Sequence, residues 1–361
     1  MNFNLDILND YYERGLLRRQ ETEDLVQYNY SEEVNNAPNG ELWDKITMFN
    51  RGNIYEKKTG KLIAKAMPKF MNLGQYTQEQ QDKFLSNNSF TITEKMDGCL
   101  GILYKYKGKI MCNSRGGFDN YVTDKIKELL PKYKMLNTLL NYQTMNVEVI
   151  SPQTKIICDY GNEENLYLIT GYLNIDWSEY TEDNLNMISK VTYMPRVKEY
   201  KMTWEDLLKW QKTSTWETEG FVVKFSNGDR IKIKSEDYLR VAKIKSKLNK
   251  HHIWKLMKHG YKQKADFLSE YINNVPDELR DLADTYLKEI NEDMDKLRQE
   301  AYELYEPLKD LDFRELSQYI KEHPHKLNDT LFPQKRGYDF SNCIINMVEP
   351  EIGFNVGDLN E

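Results

Sequence analysis

The order of hydrophobic and polar positions changes near residue 240. From about residue 44 to 234 the chain carries short segments of alternating hydrophobic and polar residues, broken by Gly, Asn and Pro. Alternation with a period of two predicts β-strands, and the short breaks predict mostly antiparallel pairing. A few stretches have helical spacing; one is Tyr121–Leu140, which Pro131 should interrupt or restart. This part of the chain is therefore predicted to be an α+β domain of antiparallel sheets flanked by helices.

Beyond about residue 240 glycine becomes scarce, and hydrophobic residues recur at alternating spacings of three and four. This spacing marks one face of an α-helix, so the pattern predicts an all-α C-terminal domain. We place the domain boundary after residue 242, which gives domains of residues 1–242 and 243–361. The longest hydrophobic stripe runs through Leu279, Ala283, Tyr286, Ile290, Met294, Leu297, Ala301 and Leu304.

Composition narrows the class of protein. The chain has 361 residues, of which 40% are hydrophobic and 30% charged, enough for a large core and most compatible with two domains. Hydrophobic stretches fall short of a membrane span, and the first residues lack the order of a signal peptide, so we expect a cytoplasmic protein with no membrane partner. The four cysteines lack Cys-x-x-Cys spacing, which argues against a zinc site or a disulfide framework.

The most informative short motif is Lys95-Met96-Asp97-Gly98, which lies between two predicted strands. It places a lysine amine at the end of a strand, beside a carboxylate and a glycine. A lysine nucleophile that attacks a nucleotide phosphate requires this arrangement. This tetrapeptide pattern is common by chance, so its value as evidence for a nucleophile depends on residues further along the chain.

A β-hairpin is predicted over residues 218–234, because Asn227-Gly228 suits a type I′ turn. With these two residues as the loop, Phe221 would pair with Lys234. Cross-strand partners share one face of a sheet, so this register decides which side chains meet.

In the predicted register, Glu219, Lys232 and Lys234 share one face, and Ile231 and Ile233 point into a core. Two lysines side by side can bind a polyphosphate as point charges. For a Lys-Ile-Lys sequence taken alone, a solvated strand face is the favoured interpretation.

Glu148 lies inside a hydrophobic strand segment, Thr144–Ile150. Burying a carboxylate there costs free energy unless a ligand, a metal or a basic group stabilises its charge. An edge strand with Glu148 facing water is the alternative. Arg51 and Pro68-Lys69-Phe70 precede the nucleophile and add two cations and an aromatic ring that could contact phosphates or a base.

The chain resembles the covalent nucleotidyltransferases, the superfamily of ligases and capping enzymes, over roughly residues 45–240. Within that range, residues 51–73 look most like bacteriophage RNA ligases of the RNA ligase 1 type. Met71 and Cys99 depart from the residues common at their positions in these ligases. The motif series is matched in order by Arg51-Gly52, Pro68-Lys69-Phe70, Lys95-Met96-Asp97-Gly98, Ser114-Arg115-Gly116, Glu148, Glu219-Gly220 and Lys232-Ile233-Lys234.

This resemblance implies an ATP-dependent RNA ligase with an N-terminal adenylyltransferase domain. Lys95 would attack the α-phosphate of ATP, AMP would pass to an RNA 5′-phosphate, and a 3′-hydroxyl would displace it. The implied cofactors are ATP and Mg²⁺ or Mn²⁺. The resemblance implies catalysis by Lys95, Asp97, Lys232 and Lys234, a metal at Glu219 and Asp97, and nucleotide binding by Arg51, Lys69, Glu94, Lys95, Gly98, Arg115, Glu148, Glu219, Lys232 and Lys234.

The chemistry of the nucleophile leads to one more expectation. A free lysine has a pKa of about 10.4, so the amine of Lys95 must lose its proton near neutral pH. The positive charges of Arg51, Lys232 and Lys234, together with a metal cation, should lower the pKa of Lys95.

From residue 240 to 265 there is no acidic residue but nine lysines and arginines, despite the formal charge of −7 for the whole chain. Such a surface favours binding of a phosphate backbone, although a solvated helix is the simpler interpretation. We expect the helical domain to bind RNA with 5′-phosphate and 3′-hydroxyl ends, such as a nicked tRNA. The expected setting is RNA repair by a monomer in a bacterial or phage-infected cell.

Two alternatives remain open from the sequence. A DNA ligase or a GTP-dependent capping enzyme would share the lysine chemistry and differ in nucleotide choice. A catalytically inactive RNA-binding protein would bind nucleotide without forming a covalent adduct.

Overall fold

A computed structural model describes residues 3–263, 275 and 277–350. The chain divides into two compact units between Arg240 and Val241. The first unit contains all the strands of the described residues, and the second contains helices.

The first unit is built from twelve strands and a set of mostly short helices. The strands are β1 (Leu17–Glu21), β2 (Leu25–Tyr30), β3 (Arg51–Glu56), β4 (Leu62–Ala64), β5 (Phe90–Lys95), β6 (Cys99–Tyr106), β7 (Lys109–Ser114), β8 (Gln143–Ile150), β9 (Asn165–Leu173), β10 (Glu199–Tyr200), β11 (Gly220–Phe225) and β12 (Arg230–Lys234). The helices are α1 (Leu5–Glu13), α2 (Glu32–Asn36), α3 (Lys45–Phe49), α4 (Gln78–Leu85), α5 (Tyr121–Leu129), α6 (Leu136–Leu139), α7 (Glu182–Thr192) and α8 (Trp204–Thr213), and α9 (Glu236–Lys247) begins in this unit.

These strands form three four-stranded antiparallel sheets. The N-terminal sheet has the order β1-β2-β3-β4, the hairpin sheet β10-β5-β11-β12, and the central sheet β7-β6-β8-β9. The predicted α+β fold is confirmed. Each sheet has a buried face, and one hydrophobic core lies where the central sheet packs against α5 and α7.

The helical stretch after residue 120 behaves as its proline predicts. α5 ends at Leu129, a 3₁₀ turn covers Leu130–Lys132, and α6 follows. Pro131 lacks an N–H and cannot continue an α-helix, so the helix ends just before it.

The hairpin exists, but its predicted register was wrong by one residue. Phe221 pairs with Ile233, and Gly220 pairs with Lys234. The loop has three residues, Ser226–Gly228, because the N–H of Phe225 bonds to the carbonyl of Asp229. Gly228, with φ +89°, takes the left-handed position that such a loop requires.

The N-terminal sheet was not predicted in its first half. β1 and β2 lie before residue 44, where the sequence patterns were not assigned to strands. All six residues of β2 are buried, so one side of this strand packs in the core and the other is covered as well. Polar residues on a fully covered strand obscure the alternation that identifies a half-buried one.

The second unit is α-helical in its described residues. Its helices, following the continuation of α9, are α10 (Lys250–Gln263), α11 (Asp277–Tyr305), α12 (Phe313–Glu322), α13 (Asn328–Lys335) and α14 (Ser341–Ile345). The hydrophobic stripe predicted from Leu279 to Leu304 lies on α11, where none of its members is exposed. No helix in the described ranges is both long and apolar enough to cross a membrane.

Candidate active site

Lys95 lies where the chain passes from one sheet to another. It is the last residue of β5 in the hairpin sheet, and four residues later Cys99 begins β6 of the central sheet. Asp97 and Gly98 form the turn between them. The predicted nucleophile therefore stands at the junction of two sheets, within reach of side chains from both.

Three strands bring the charged groups of the hairpin sheet together. Lys95 of β5 pairs with Gly220 of β11, which pairs in turn with Lys234 of β12. The carboxylate of Glu219 bridges the two amines, at 2.7 Å from Lys95 Nζ and 3.2 Å from Lys234 Nζ. Lys232 and Lys234 are 9% and 7% exposed, so the solvated strand face is excluded.

Gly220 explains how Glu219 reaches the lysines in the corrected register. Regular alternation would turn Glu219 toward the core, on the side of Phe221. Gly220 has φ +153°, which breaks the alternation. A Cβ atom at this position would lie 2.1 Å from the carbonyl oxygen of Ile233, so only glycine fits.

The expected lowering of the pKa of Lys95 is not found. Burial lowers the pKa of Lys95, but the negative charges of Glu219 and Glu148 outweigh burial and raise the pKa above its ordinary value. The nearest charge is a carboxylate and not a cation, because Glu219 separates Lys95 from Lys234. The amine is therefore protonated while this ion pair is intact.

The lowered pKa belongs to Lys232 instead. Burial is the largest cause, and the positive charges of Lys69, Lys234, Lys95 and Arg51 add to it, so that the pKa of Lys232 lies well below its usual range. Its amine lies 5.2 Å from the centre of the Phe70 ring. A buried amine surrounded by cations favours any bound anion, because an anion stabilises its charged form.

Glu148, on β8 of the central sheet, is a further charged residue of the group around Lys95. β8 lies between β6 and β9, so the edge-strand alternative for Glu148 is wrong. Its carboxylate accepts a hydrogen bond from the N–H of Gly98 at 3.2 Å. Burial raises the pKa of Glu148 to about 7, partly offset by the charge of Lys95.

Asp97 holds the turn that follows Lys95. It is 2% exposed, and one carboxylate oxygen accepts bonds from the N–H groups of Ile157 and Cys158 at 2.7 and 2.8 Å. The other accepts the hydroxyl of Tyr238 at 2.6 Å. Tyr160 accepts from the N–H of Asp97. These three bonds use three of the about four acceptor sites of a carboxylate, so one site on the oxygen that faces Tyr238 is left for the metal that the resemblance implies.

A second cationic cluster, which we call the Tyr30 cluster, consists of Tyr30, Trp43, Arg51, Lys69 and Arg115. Lys69 Nζ lies 5.2 and 5.0 Å from the centres of the Tyr30 and Trp43 rings. The Arg115 guanidinium donates to the Tyr30 hydroxyl. Burial raises the pKa of Tyr30, but Arg115, Lys69 and Arg51 lower it to about 8. Arg51 Nε and Nη1 are buried without a partner among the described residues, as expected of donors in a site that binds an anion.

Glu94 is the predicted site residue whose side chain the structure does not bring to the others. It precedes Lys95 on β5, so its side chain points to the opposite face of the sheet. Burial raises its pKa, and the charge that opposes this effect is that of Lys198.

The carboxylates fit a divalent metal only in part. No group of three or more His, Cys, Asp or Glu side chains in residues 3–263, 275 and 277–350 is arranged to hold a metal ion. Mg²⁺, however, commonly binds one or two carboxylates and completes its shell with water and substrate phosphates. Glu219 fits this role, because it lies among groups suited to phosphate.

Comparison with known proteins decides the family. A family model described as RNA ligase matches residues 50–249, more than half of the 361 residues. The chain belongs to this RNA ligase family. The resemblance seen in the sequence is thereby confirmed, and the matched range contains all the predicted site residues.

Individual relatives of this RNA ligase family member are distant. A Thermovibrio ammonificans protein that carries a provisional RNA ligase name is 28% identical over 119 residues, which cover 32% of this chain and 31% of the relative. The match thus spans less than a third of that protein's length.

The chain is also similar to solved ligase structures. An apo variant of Naegleria gruberi RNA ligase has a TM-score of 0.42 at 18% identity and covers 49% of this chain and 57% of its own. Another variant of that enzyme, with ATP and Mn, has a TM-score of 0.39 at 18% identity and covers 45% and 54%. A provisionally named ATP-dependent DNA ligase from Aquifex aeolicus has a TM-score of 0.46 at 16% identity and covers 93% and 89%.

The aromatic members of this ligase site were missed from the sequence. Tyr30 and Trp43 precede the matched motifs, and Tyr238 follows the last lysine by four residues. With 25 tyrosines in the chain, none is distinctive by composition. Spacing from Lys234 was the available signal for Tyr238, since a helix that begins directly after β12 turns its first residues back toward the strand end.

We expect Tyr238→Phe to destabilise the protein by about 2 kcal/mol, because it leaves a buried carboxylate oxygen of Asp97 without a donor. Loss of this bond should also slow adduct formation at Lys95 by about tenfold or more, since the turn carrying the nucleophile would loosen. Urea unfolding and single-turnover labelling measure the two effects. The control is Tyr11→Phe, which removes an exposed 2.6 Å bond to Asp44. Equal effects of the two variants would contradict the prediction.

Proposed function

We propose that the protein is an ATP-dependent RNA ligase that joins a 5′-phosphate to a 3′-hydroxyl through a lysyl-AMP and an RNA-adenylate intermediate. The observation that carries the proposal is the convergence of three charged groups: the carboxylate of Glu219, which directly precedes β11, lies 2.7 Å from Lys95 Nζ and 3.2 Å from Lys234 Nζ. Such a set of a nucleophile, an acid and a second cation is suited to attack on a phosphate.

In the first step, the Lys95 amine forms a P–N bond to the α-phosphorus of ATP, and the bond from that phosphorus to the pyrophosphate oxygen breaks. The amine attacks only after it loses its proton, which Glu219, 2.7 Å away, is placed to accept. Pyrophosphate leaves with the electron pair of the broken bond. Lys232 and Lys234 stabilise the charge that builds on the α-phosphate oxygens.

Other groups orient the nucleotide. Glu148 accepts hydrogen bonds from the ribose hydroxyls, and the Tyr30 cluster binds the outer phosphates. An anion there raises the pKa of Lys232 back toward its usual range and so favours the charged form of this amine. A divalent cation at Glu219 would screen the phosphate charges and cancel the negative charge that raises the pKa of Lys95.

The remaining steps use the same groups. The RNA 5′-phosphate attacks the phosphorus of lysyl-AMP and releases Lys95, and a 3′-hydroxyl then displaces AMP to form the phosphodiester. RNA with these two ends, such as a nicked tRNA, is the proposed partner, and RNA repair is the proposed setting.

The decisive experiment incubates the protein, freed of bound AMP, with Mg²⁺ or Mn²⁺ and α-labelled ATP or α-labelled GTP. We expect label from ATP to remain on the protein in a denaturing gel. Label from GTP alone would indicate a GTP-dependent capping enzyme instead. A folded protein labelled by neither nucleotide would point to an RNA-binding protein without catalysis.

Lysines of the second unit are proposed to bind the phosphate backbone of RNA. Of the predicted basic stretch, Lys264 lies outside the described residues, and Lys250 pairs with Glu289 at 3.0 Å. Lys255 is exposed, and Lys258 lies 4.5 Å from the centre of the Trp254 ring.

We expect Lys255→Ala combined with Lys258→Ala to weaken RNA binding and to reduce the slope of log K against log salt by about 1.4, or about 0.7 for each lost contact with a single strand. The measurement is RNA affinity across a salt series. Lys288→Ala combined with Lys296→Ala is the charge-matched control, since these two lysines are 77% and 72% exposed on α11. Equal slopes for the two double variants would contradict the assignment.

A further inference from the structure

A cavity of about 560 Å³ opens on the N-terminal sheet of the first unit. β1, β2 and the loop after β7 line it, and its principal polar groups are Arg18, Arg19, Asn29 and Arg115. A volume in this range accommodates a ligand of about the size of a nucleotide.

The lining carries net positive charge. It contains three arginines and one carboxylate, that of Glu13. Arg18 pairs at 2.9 Å with Glu32, which lies outside the lining and is 48% exposed. An exposed ion pair of this kind contributes little, so Arg18 can exchange it for a phosphate at small cost.

Arg115 differs from the other two because it is buried, with 3% of its surface exposed. Burial lowers its pKa; of its described neighbours, Tyr30 and Cys99 raise the pKa, and the positive charges of Arg51 and Arg18 lower it further. A buried guanidinium close to two other arginines gains from an anionic ligand that offsets their repulsion.

Asn29 adds a requirement for a hydrogen-bond donor. The residue is 6% exposed, and nothing in the described part of the chain donates to its Oδ1 atom. An unsatisfied buried acceptor costs about 1 to 3 kcal/mol. A ligand that carries a hydroxyl group beside an anionic group would satisfy Asn29 and Arg115 together.

The position of the cavity relates it to the reaction. Arg115 lines the cavity and also bonds to Tyr30, so this arginine is shared with the cluster that we assign to the outer phosphates. A ligand in the cavity therefore lies next to the nucleotide site without occupying the position of Lys95.

We propose that this cavity binds a ribonucleotide of the RNA strand that is to be sealed, with Arg18 and Arg115 on a phosphate and Asn29 on the 2′-hydroxyl. This assignment rests on the ligase function proposed above. RNA meets both requirements with one repeating unit, whereas DNA lacks the hydroxyl donor.

The test measures the affinity of a short 5′-phosphorylated single-stranded RNA, and of DNA of the same sequence, for the unaltered protein and three variants. We expect Asn29→Ala and Arg18→Ala each to weaken RNA binding by about five- to tenfold. For Asn29→Ala this loss of affinity should occur with RNA only, so that the variant prefers RNA over DNA less strongly than the unaltered protein does. It should fold normally, since it removes an acceptor that has no partner. Lys127→Ala, which breaks an exposed 2.8 Å pair with Asp124, is the charge-matched control and should bind like the unaltered protein.

Three results would overturn the proposal. One is unchanged RNA affinity in both cavity variants. Another is weaker binding of ATP with RNA affinity preserved, which would assign the cavity to the nucleotide. The third is an equal loss for RNA and DNA in Asn29→Ala. Label transfer from ATP to the unaltered protein reports separately on the ligase function, so its failure leaves the affinity comparison readable.

Discussion

Lys95→Ala and Lys95→Arg are both expected to abolish the labelled protein adduct formed from α-labelled ATP. The structure offers two other lysines nearby, but neither can replace the nucleophile. Only 8% of the side chain of Lys234 is exposed, against 20% of that of Lys95, and Lys232 is buried as well. Arginine keeps the positive charge beside Glu219 and lacks a nucleophilic amine, so it separates loss of charge from loss of chemistry.

The measurement is the rate of label retention on the protein, with peptide mapping to locate the label. Lys95→Arg should retain ATP binding close to that of the unaltered protein, because the charge facing Glu219 is preserved. Both variants should still seal RNA that is already adenylated, since that step does not form the P–N bond. Label at Lys232 or Lys234 in the Lys95 variants would refute the assignment.

Gly220→Ala is expected to have the largest effect on stability. An added Cβ would lie 2.1 Å from the carbonyl oxygen of Ile233 and 2.8 Å from the Cα of Lys234, in backbone that cannot move without separating β11 from β12. We expect a loss of at least about 3 kcal/mol in the free energy of unfolding. Adduct formation should fall as well, because the displaced strands carry Glu219 and Lys234.

Gly228→Ala is the matched control for this substitution. Gly228 lies in the same hairpin and has φ +89°, but no atom lies within 4 Å of the position of an added Cβ. Only the backbone strain of a left-handed alanine remains, which costs about 1 kcal/mol. Thermal and urea unfolding of the two variants give the comparison. A difference below about 1 kcal/mol would show that the strands adapt to the added atom.

The hairpin also shows which part of the site the sequence could specify. Alternation placed Ile231 and Ile233 in the core and the two lysines opposite them, and this is confirmed. The pairing with β11 was wrong by one residue, because Asn227-Gly228 suits both a two-residue loop and a three-residue loop ending in a left-handed glycine. Local sequence does not distinguish these turns; the packing of the whole sheet does.

Electrostatic detail depended even more on the folded chain. The motifs predicted which charged residues converge, and the structure brings Lys95, Glu148, Glu219, Lys232 and Lys234 together. They did not predict which partner each one has. Whether Lys95 faces a cation or Glu219 depends on the backbone conformation of one glycine, Gly220. Because Lys95 faces Glu219, the pKa of Lys95 is raised and not lowered. Tyr30 gave no pattern in the sequence, and the available signal for Tyr238 was its spacing from Lys234, because a tyrosine that bonds to Asp97 looks in sequence like any other tyrosine.

The ion pair between Lys95 and Glu219 has a consequence for the chemical durability of the protein. Aldehydes, cyanate and similar small electrophiles modify lysines through the neutral amine. Because its pKa is raised, Lys95 carries less of this neutral form at pH 7 than an ordinary surface lysine does. The amine that we propose as the nucleophile should therefore be modified more slowly than surface lysines while the ion pair holds, even though 20% of its side chain is open to solvent.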